Sequence, residues 1–387
     1  MKRIAIAAAC WLAAPAAAGP AENARVFDRV WSLTAERYWD RGLHGVDWDA
    51  ARARFRPQAV AAPDSRRLYA VLEAMLDLVH DSHLVATSPE RLAFERARLR
   101  RDGEASGFGF DAEQAGGRWQ VATVQPDGPA AAAGVQIGWT LEAVDGRPPD
   151  IDRHFGAGDR ATIDFTDEFG RPQRRILVGT PLAAEPDRGV RALPGGVRLI
   201  RFDGFYGDVA GWLRAALAEG PPPAAVILDL RRNGGGANDV LDRVAGLFLP
   251  ARTPILRLVG RRTETERTRG SQVYDGPLAV LVGPDTVSAA EALAAAVVES
   301  GRGIAVGRRS AGALTAGVDH RLPDGGRLTV AEQDIRTAAG TRIEGAGVAP
   351  THDIAASLAD RRAGRDTVAE AAARLLLRGR DAPPPAR

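Results

Sequence analysis

Apolar residues recur at helical spacing over residues 22 to 86. Val26, Val30 and Leu33 form one stripe, and Leu68, Val71, Leu72, Met75 and Leu76 form another. This is the i, i+3, i+4 repeat of helices that bury one face. From about 103 to 180 the pattern shortens to alternating runs broken by glycine and proline, such as Arg118 to Val124, Thr140 to Val144 and Ala161 to Phe165. Period-two runs of this kind predict a β-rich module. Within it, Ala130 to Gly134 after Gly128-Pro129 reads as a short helix with a glycine stop. Residues 190 to 360 alternate strands with helices: Val197 to Phe202, a helix over Val209 to Leu217, and the wholly apolar Ala225 to Leu230. A helix Asn238 to Phe248, a strand Leu278 to Val282, a helix Ser288 to Glu299 and a strand Ile304 to Val306 follow. Continuous apolar strands between helices indicate a sheet covered on both faces. The pattern predicts a multi-domain α/β chain: a helical domain over 22–100, a β-rich module over 103–180, an α/β core over 190–360, and a closing helix with a disordered tail over 361–387.

Composition changes this picture in three places. The chain of 387 residues is 45% apolar, enough for two or three cores and too apolar for a disordered chain. Residues 1–18 read as a signal peptide: Lys2 and Arg3 begin it, Ile4 to Ala14 form the apolar run, and Ala16-Ala17-Ala18 offer a small-residue cleavage site. The run is shorter than the roughly 20 apolar residues of a bilayer span. An exported protein, periplasmic or secreted, with no stable membrane span after signal removal is expected. A lipoprotein site at Cys10 is the weaker reading, because the apolar run continues to Ala18. Cys10 is the only cysteine and Lys2 the only lysine. A chain processed near Gly19 keeps neither a thiol nor an amine side chain for catalysis.

The formal charge is +2 with basic residues dispersed among acidic ones, which gives no support to nucleic-acid binding. The six histidines lack metal-ligand spacing apart from the His80 and His83 pair, so no metal or cofactor is expected. Trp31, Tyr38, Trp39 and Trp48 read as core anchors of the helical domain in preference to a ligand cage.

Two segments carry chemistry. Ser288 follows an apolar strand and a Gly283-Pro284-Asp285 turn and opens an alanine-rich helix. Serine is a favoured N-cap, and the amides of a helix start can also stabilise an oxyanion beside its hydroxyl; both readings stand on this feature alone. Asp229 to Gly236 runs from a buried strand into three glycines, whose amides can approach a ligand unobstructed, at the strand end where α/β folds place their sites. No Lys-Ser or Lys-Thr follows, so a phosphate loop is excluded.

Ile227 to Gly236 resembles the DLRxNxGG stretch of the tail-specific (C-terminal processing) serine proteases of the S41 type, and Val287 to Glu291 resembles their SAxE nucleophile turn. Gly107-Phe108-Gly109-Phe110, with Val124 to Gly134 and Leu141 to Gly146, is similar to a PDZ module, although Trp139 stands where an aspartate is usual. Gly45 to Trp48 and Glu344 to Pro350 also match, so the likeness covers nearly all of the expected mature chain. It implies a ClpP/crotonase-like core, Ser288 as nucleophile, an oxyanion hole from the N–H groups of Gly235 and Ala289, and Gly107 to Phe110 as a peptide-carboxylate loop. The substrate would be a polypeptide, bound by its C-terminus.

Where many members carry a catalytic lysine, this chain reads Ser310-Ala311-Gly312-Ala313-Leu314. The tricorn-like branch uses histidine instead, and Leu78 to His83 resembles its pattern, with Leu84 where that branch has threonine. The resemblance assigns the base to His83, with His80 as the alternative. Histidine suits the role because its unperturbed pKa is roughly 6.5. Glu344 is assigned as the group that orients the imidazole, with Asp81, Glu291 and Asp353 as substitutes. The implied protein is a serine endopeptidase. A binding protein on the same fold and an esterase with the same triad are the rival classes.

Overall fold

Ala225–Asp229 and Leu278–Val282 are buried at every position because each strand packs helices on both faces. In this computed structural model, which describes residues 19–93, 105–115, 117–149, 155–183, 186–260 and 263–381, they are neighbours at the centre of a six-stranded sheet. The order runs His352–Asp353, Ile304–Gly307, Leu278–Val282, Ala225–Asp229, Val197–Phe202, Arg188–Leu193. All pairs are parallel except the last, which is antiparallel. Val226 and Leu228 point into a core with Leu213, Val244, Phe248 and Leu293. Ala225 and Ile227, on the alternate face, meet Val368, Ala369, Ala372 and Leu376 of the closing helix Thr367–Asp381. Each fully buried Ile or Leu side chain contributes about 1.5–3 kcal/mol.

The same compact unit holds a five-stranded antiparallel sheet in the order Phe110–Ala115, Arg118–Val124, Thr140–Val144, Arg160–Thr166, Pro172–Val178, with the short helix Pro129–Ala132 beside it. Phe110–Ala115 is therefore an edge strand. Trp139 is 5% exposed in the core of this sheet, its ring 5.8 Å from Phe165 and its Nε1 donating to Glu168 at 3.2 Å. The indole fills space that an aspartate would leave empty.

The second compact unit comprises the described chain from Gly19 to Leu92 together with Gly317–Glu332. Helices Pro20–Arg37, Trp48–Val60 and Ser65–Leu76 bury the two apolar stripes, with Phe27, Leu72 and Met75 fully enclosed. Asp47 and Asp64 cap the second and third helices by accepting the N–H groups of Ala50 and Arg67, each such cap contributing about 1 kcal/mol. The helical reading of residues 22 to 86 overshoots at its end: Val85–Thr87 is a strand, paired antiparallel with Arg327 to Thr329. Leu322, Leu328, Val330 and Ala331 complete this core. Residues 1–18 and the Pro-rich end from 382 lie outside the described residues, among which no helix is long and apolar enough to cross a membrane.

Candidate active site

The strand Leu278–Val282 ends in a tight turn that Thr286 closes. Its buried hydroxyl accepts the Gly283 N–H at 3.0 Å and donates to the Leu230 carbonyl at 2.8 Å. The turn is thereby stitched to the end of the neighbouring parallel strand. The helix begins at Ala289, and Ser288 sits just outside it at φ 56°, ψ −118°. An ordinary N-cap is extended, whereas a non-glycine residue at positive φ costs about 1–3 kcal/mol and persists only where its surroundings hold it. The holding groups are on hand. The Ser288 N–H donates to the Ala313 carbonyl and to Glu291 Oε2, both at 3.0 Å. Glu291 is fully buried and also accepts the Gly312 N–H at 2.7 Å, the Ala313 N–H at 2.9 Å and the Ser310 hydroxyl at 2.6 Å. One carboxylate thus binds the serine turn to the segment Ser310 to Ala313.

The glycine loop lies against the same turn. Asn233, 0% exposed, donates from Nδ2 to the Phe202 carbonyl at 2.8 Å, and its own carbonyl accepts the Val287 N–H at 3.0 Å. Gly235 takes φ +90°, and a Cβ there would stand 2.7 Å from the Ser288 Cβ; only glycine permits this approach. The Gly235 N–H donates to Asn233 Oδ1 at 2.9 Å, so its service to an oxyanion requires that bond to be shared or exchanged. Among the described residues the Ala289 N–H has no acceptor. Glu344, 7% exposed, accepts the Leu314 N–H at 2.6 Å, and the Gly345 N–H donates to the Gly312 carbonyl at 2.7 Å. Ser288, Ala289, Gly235 and Glu344 therefore surround one pair of loops. Asp285, three residues before Ser288, has its carboxyl pushed up by burial and by the nearby carboxylates of Glu113 and Asp111.

His83 belongs to the helical unit. Its N–H donates to Asp81 Oδ1 and its Nδ1 lies against Ser82 Oγ, both at 2.9 Å. Its ring packs over Gly317, where a Cβ would stand 3.5 Å from the His83 Cδ2. His80 is exposed and adopts the left-handed conformation, φ 54°, that reverses the chain. The Ser82 contact escaped sequence reasoning, although a serine directly before a candidate base is a signal that could have raised it. The roles of Asn233 and of Glu291 toward Ser310 to Ala313 escaped too, because they join segments distant in sequence.

In the β-rich module Gly107 and Gly109 take positive φ at the start of the edge strand. Phe108 is 6% exposed and stacks on Phe155 with ring centroids 4.5 Å apart. The carbonyls of Phe108 and Gly109 accept N–H groups from Ala130 and Gln125. Among the described residues their own N–H groups have no acceptor.

Comparison with known proteins gives this geometry its context. Residues 195–354 match the model of Peptidase family S41 and residues 20–77 that of the Tricorn protease C1 domain. The carboxyl-terminal-processing protease of Picosynechococcus sp. is 26% identical over 362 residues, covering 86% of this chain and 85% of that one. A tricorn protease homologue of Streptomyces coelicolor is 28% identical over 403 residues, covering 95% of this chain but 33% of its own length. The photosystem II D1 C-terminal processing protease has a similar fold, with a TM-score of 0.64 at 23% identity over 86% of this chain and 93% of that one. The S41 match spans both candidate loops, from the strand before Asn233 to beyond Glu344; residues 195–354 therefore carry the Peptidase family S41 domain, and the chain is a serine-type peptidase.

Proposed function

We propose that this chain is an exported endopeptidase that recognises polypeptides by their C-terminus and cleaves them with Ser288, His83 and Glu344. The observation that carries the proposal is Ser288 itself, held at positive φ beside Gly235 and at the head of a helix. Strain of this kind gathers at sites of chemistry, and a simple cap has no use for it. In the proposed reaction the neutral His83 donates from Nδ1–H to Ser82 Oγ, which leaves Nε2 free to take the Ser288 proton. Ser288 Oγ attacks the peptide carbonyl while the Ala289 and Gly235 N–H groups receive the developing oxyanion, each worth about 2.7–4 kcal/mol. His83 returns the proton to the leaving amine, and water releases the acyl-enzyme.

The assignment of the base to His83 rests on the lysine-free chain after Lys2 and on the likeness to tricorn proteases. Glu344, tied to the Leu314 N–H, is the proposed orienter, acting through the Ser82 hydroxyl that accepts the His83 Nδ1–H. For recognition, the N–H groups of Phe108 and Gly109, which have no acceptor among the described residues, suit a terminal carboxylate, and the edge of Phe110–Ala115 suits the addition of a peptide strand. The names of the relatives, carboxyl-terminal-processing proteases, agree with such a substrate.

The test is hydrolysis of fluorescently labelled casein together with fluorophosphonate labelling, for wild type, Ser288→Ala, His83→Ala and Glu344→Ala. Loss of labelling and cleavage in Ser288→Ala and loss of cleavage in His83→Ala are expected. Labelling that persists in Ser288→Ala, or full cleavage by His83→Ala, refutes the assignment. A peptide with a free C-terminus should bind more tightly than its amide; equal affinity removes the carboxylate loop from the scheme. Sequencing the amino terminus of exported protein should find Gly19 first.

A further inference from the structure

The turn that presents His83 is anchored at its back. Asp77–Val79 forms a single 3-10 turn, and His80 then reverses the chain at φ 54°, ψ 52°. Asp81, next in line, uses its two carboxylate oxygens in different directions. Oδ1 accepts the His83 N–H at 2.9 Å, and Oδ2 accepts the Tyr38 hydroxyl at 2.8 Å. Tyr38 is 3% exposed and ends the first helix, its N–H donating to the Thr34 carbonyl at 3.0 Å. A second attachment lies alongside. His44 Nδ1 is 2.9 Å from the Val79 carbonyl, and since a carbonyl only accepts, Nδ1 carries the proton. Its Nε2 then faces the Tyr38 hydroxyl at 3.5 Å, and the two rings meet edge to face at 5.6 Å. Leu43 and His44 are both held at positive φ to make this approach. The segment Tyr38 to Gly45 thus grips the segment Asp77 to His83 at two points, Asp81 and Val79.

We propose that Tyr38 and Asp81, braced by His44, form a strut that positions the His83 imidazole, so that the Tyr38 hydroxyl acts on turnover without touching substrate. The inference rests on the reading of His83 as the base. Both the backbone amide of His83 and the Ser82 hydroxyl at its Nδ1 belong to the turn that Asp81 holds. Freeing Asp81 from Tyr38 therefore lets backbone and tautomer partner move together, and with them the direction of Nε2. A displacement of about 1 Å in a catalytic group costs on the order of 100-fold in rate. Asp81 is partly exposed, so water replaces the lost phenol at its carboxylate. The removed hydroxyl should accordingly register in catalysis more than in folding.

The experiment measures kcat and KM on labelled casein, the urea midpoint, and the rate of Ser288 labelling by a fluorophosphonate, for wild type, Tyr38→Phe, Asp81→Ala, His83→Ala and the Tyr38→Phe/His83→Ala pair. Tyr38→Phe should lower kcat about tenfold and leave KM within about twofold, with an unchanged urea midpoint. In the His83→Ala background it should leave the residual labelling rate unaltered, because no imidazole remains to be positioned. Unchanged kcat in Tyr38→Phe overturns the strut, and so does an equal loss of labelling in both backgrounds, which would mark a general structural role. If Tyr38→Phe does not fold, Asp81→Ala cuts the strut at its other end, and unchanged kcat there is equally decisive. His83→Ala turning over at the wild-type rate refutes the base assignment instead, an outcome distinct from failure of the strut.

Discussion

Replacing Gly235 by alanine should disable the enzyme, while the same change one residue earlier should not. At Gly235 the new Cβ would stand 2.7 Å from the Ser288 Cβ, 2.9 Å from the Val287 carbonyl oxygen and 3.2 Å from the Ala289 nitrogen. Carbon atoms in contact prefer about 3.5–4.0 Å, so the shortfall is close to one ångström. Little around it can yield: Val287 and Ala289 oppose it with backbone atoms, and Ser288 is pinned through its own N–H to Ala313 and Glu291. The backbone at φ +90° adds about 1–2 kcal/mol for a residue with a side chain, and overpacking adds about 1–3 kcal/mol more. Part of that energy is relieved by pushing Ser288 outward, and an error of about 1 Å in the proposed nucleophile lowers kcat roughly 100-fold. Gly234 has no atom within 4 Å of its Cβ position and no positive φ, so Gly234→Ala should stay within about threefold of wild type. Casein hydrolysis and urea denaturation of both variants, side by side, supply the measurement. Near-wild-type turnover in Gly235→Ala, or equal damage from both changes, would refute the argument.

Other consequences are as accessible. Glu291→Gln places an amide nitrogen where only donors converge, so it should cost about 2–4 kcal/mol in urea denaturation and lower kcat; a variant with wild-type stability contradicts the account of how Ser288 is held. Thr286→Val strands the buried Gly283 N–H and should cost about 1–3 kcal/mol by the same measurement, so a neutral change would show that the turn does not need its hydroxyl. Asp242, 1% exposed on the helix after the glycine loop, has its pKa pushed up to about 7 by burial and by Glu266, with Asp239 adding to the rise and Arg269 opposing it. A carboxyl whose folded pKa exceeds its unfolded value leaves stability untouched in acid and lowers it as the pH rises towards that folded value. Wild type should therefore lose stability between about pH 4 and pH 7, and Asp242→Asn should be the more stable at pH 8 by at least about 1 kcal/mol; parallel pH profiles for the two proteins would contradict this.

The central strands and their helices were legible in the sequence because burial on both faces leaves no polar position to confuse them. Ala225–Asp229, Leu278–Val282 and Asn238–Phe248 lie where the apolar runs put them, within a residue. Strands with exposed faces were not legible. Arg188–Leu193 is nearly all exposed at the sheet edge, and Thr263–Arg267 carries charge at alternate positions of a hairpin. Neither shows an apolar period, since pairing with a neighbour and not burial makes them strands. Val85–Thr87 is too short to display any period and was absorbed into the helical run. At the candidate site, motif residues such as Ser288 and Gly235 could be named from the resemblance to S41 motifs, but the groups that hold them could not. Glu291 meets Ser310 from nineteen positions away, and the bond from Tyr38 to Asp81 spans forty-three.

The helical unit is not a contiguous stretch of chain: Gly317–Glu332 supplies Leu322, Leu328, Val330 and Ala331 to a core begun before Leu92. A ribosome emits the amino-terminal helices long before it emits that closing hairpin, so the early helices wait with apolar surface uncovered while more than two hundred further residues are made. Domains that finish folding late in this way depend on remaining soluble in the interval. The turn bearing His83 therefore acquires its Gly317 backing only after residue 317, and with it the proposed nucleophile Ser288, has been synthesised.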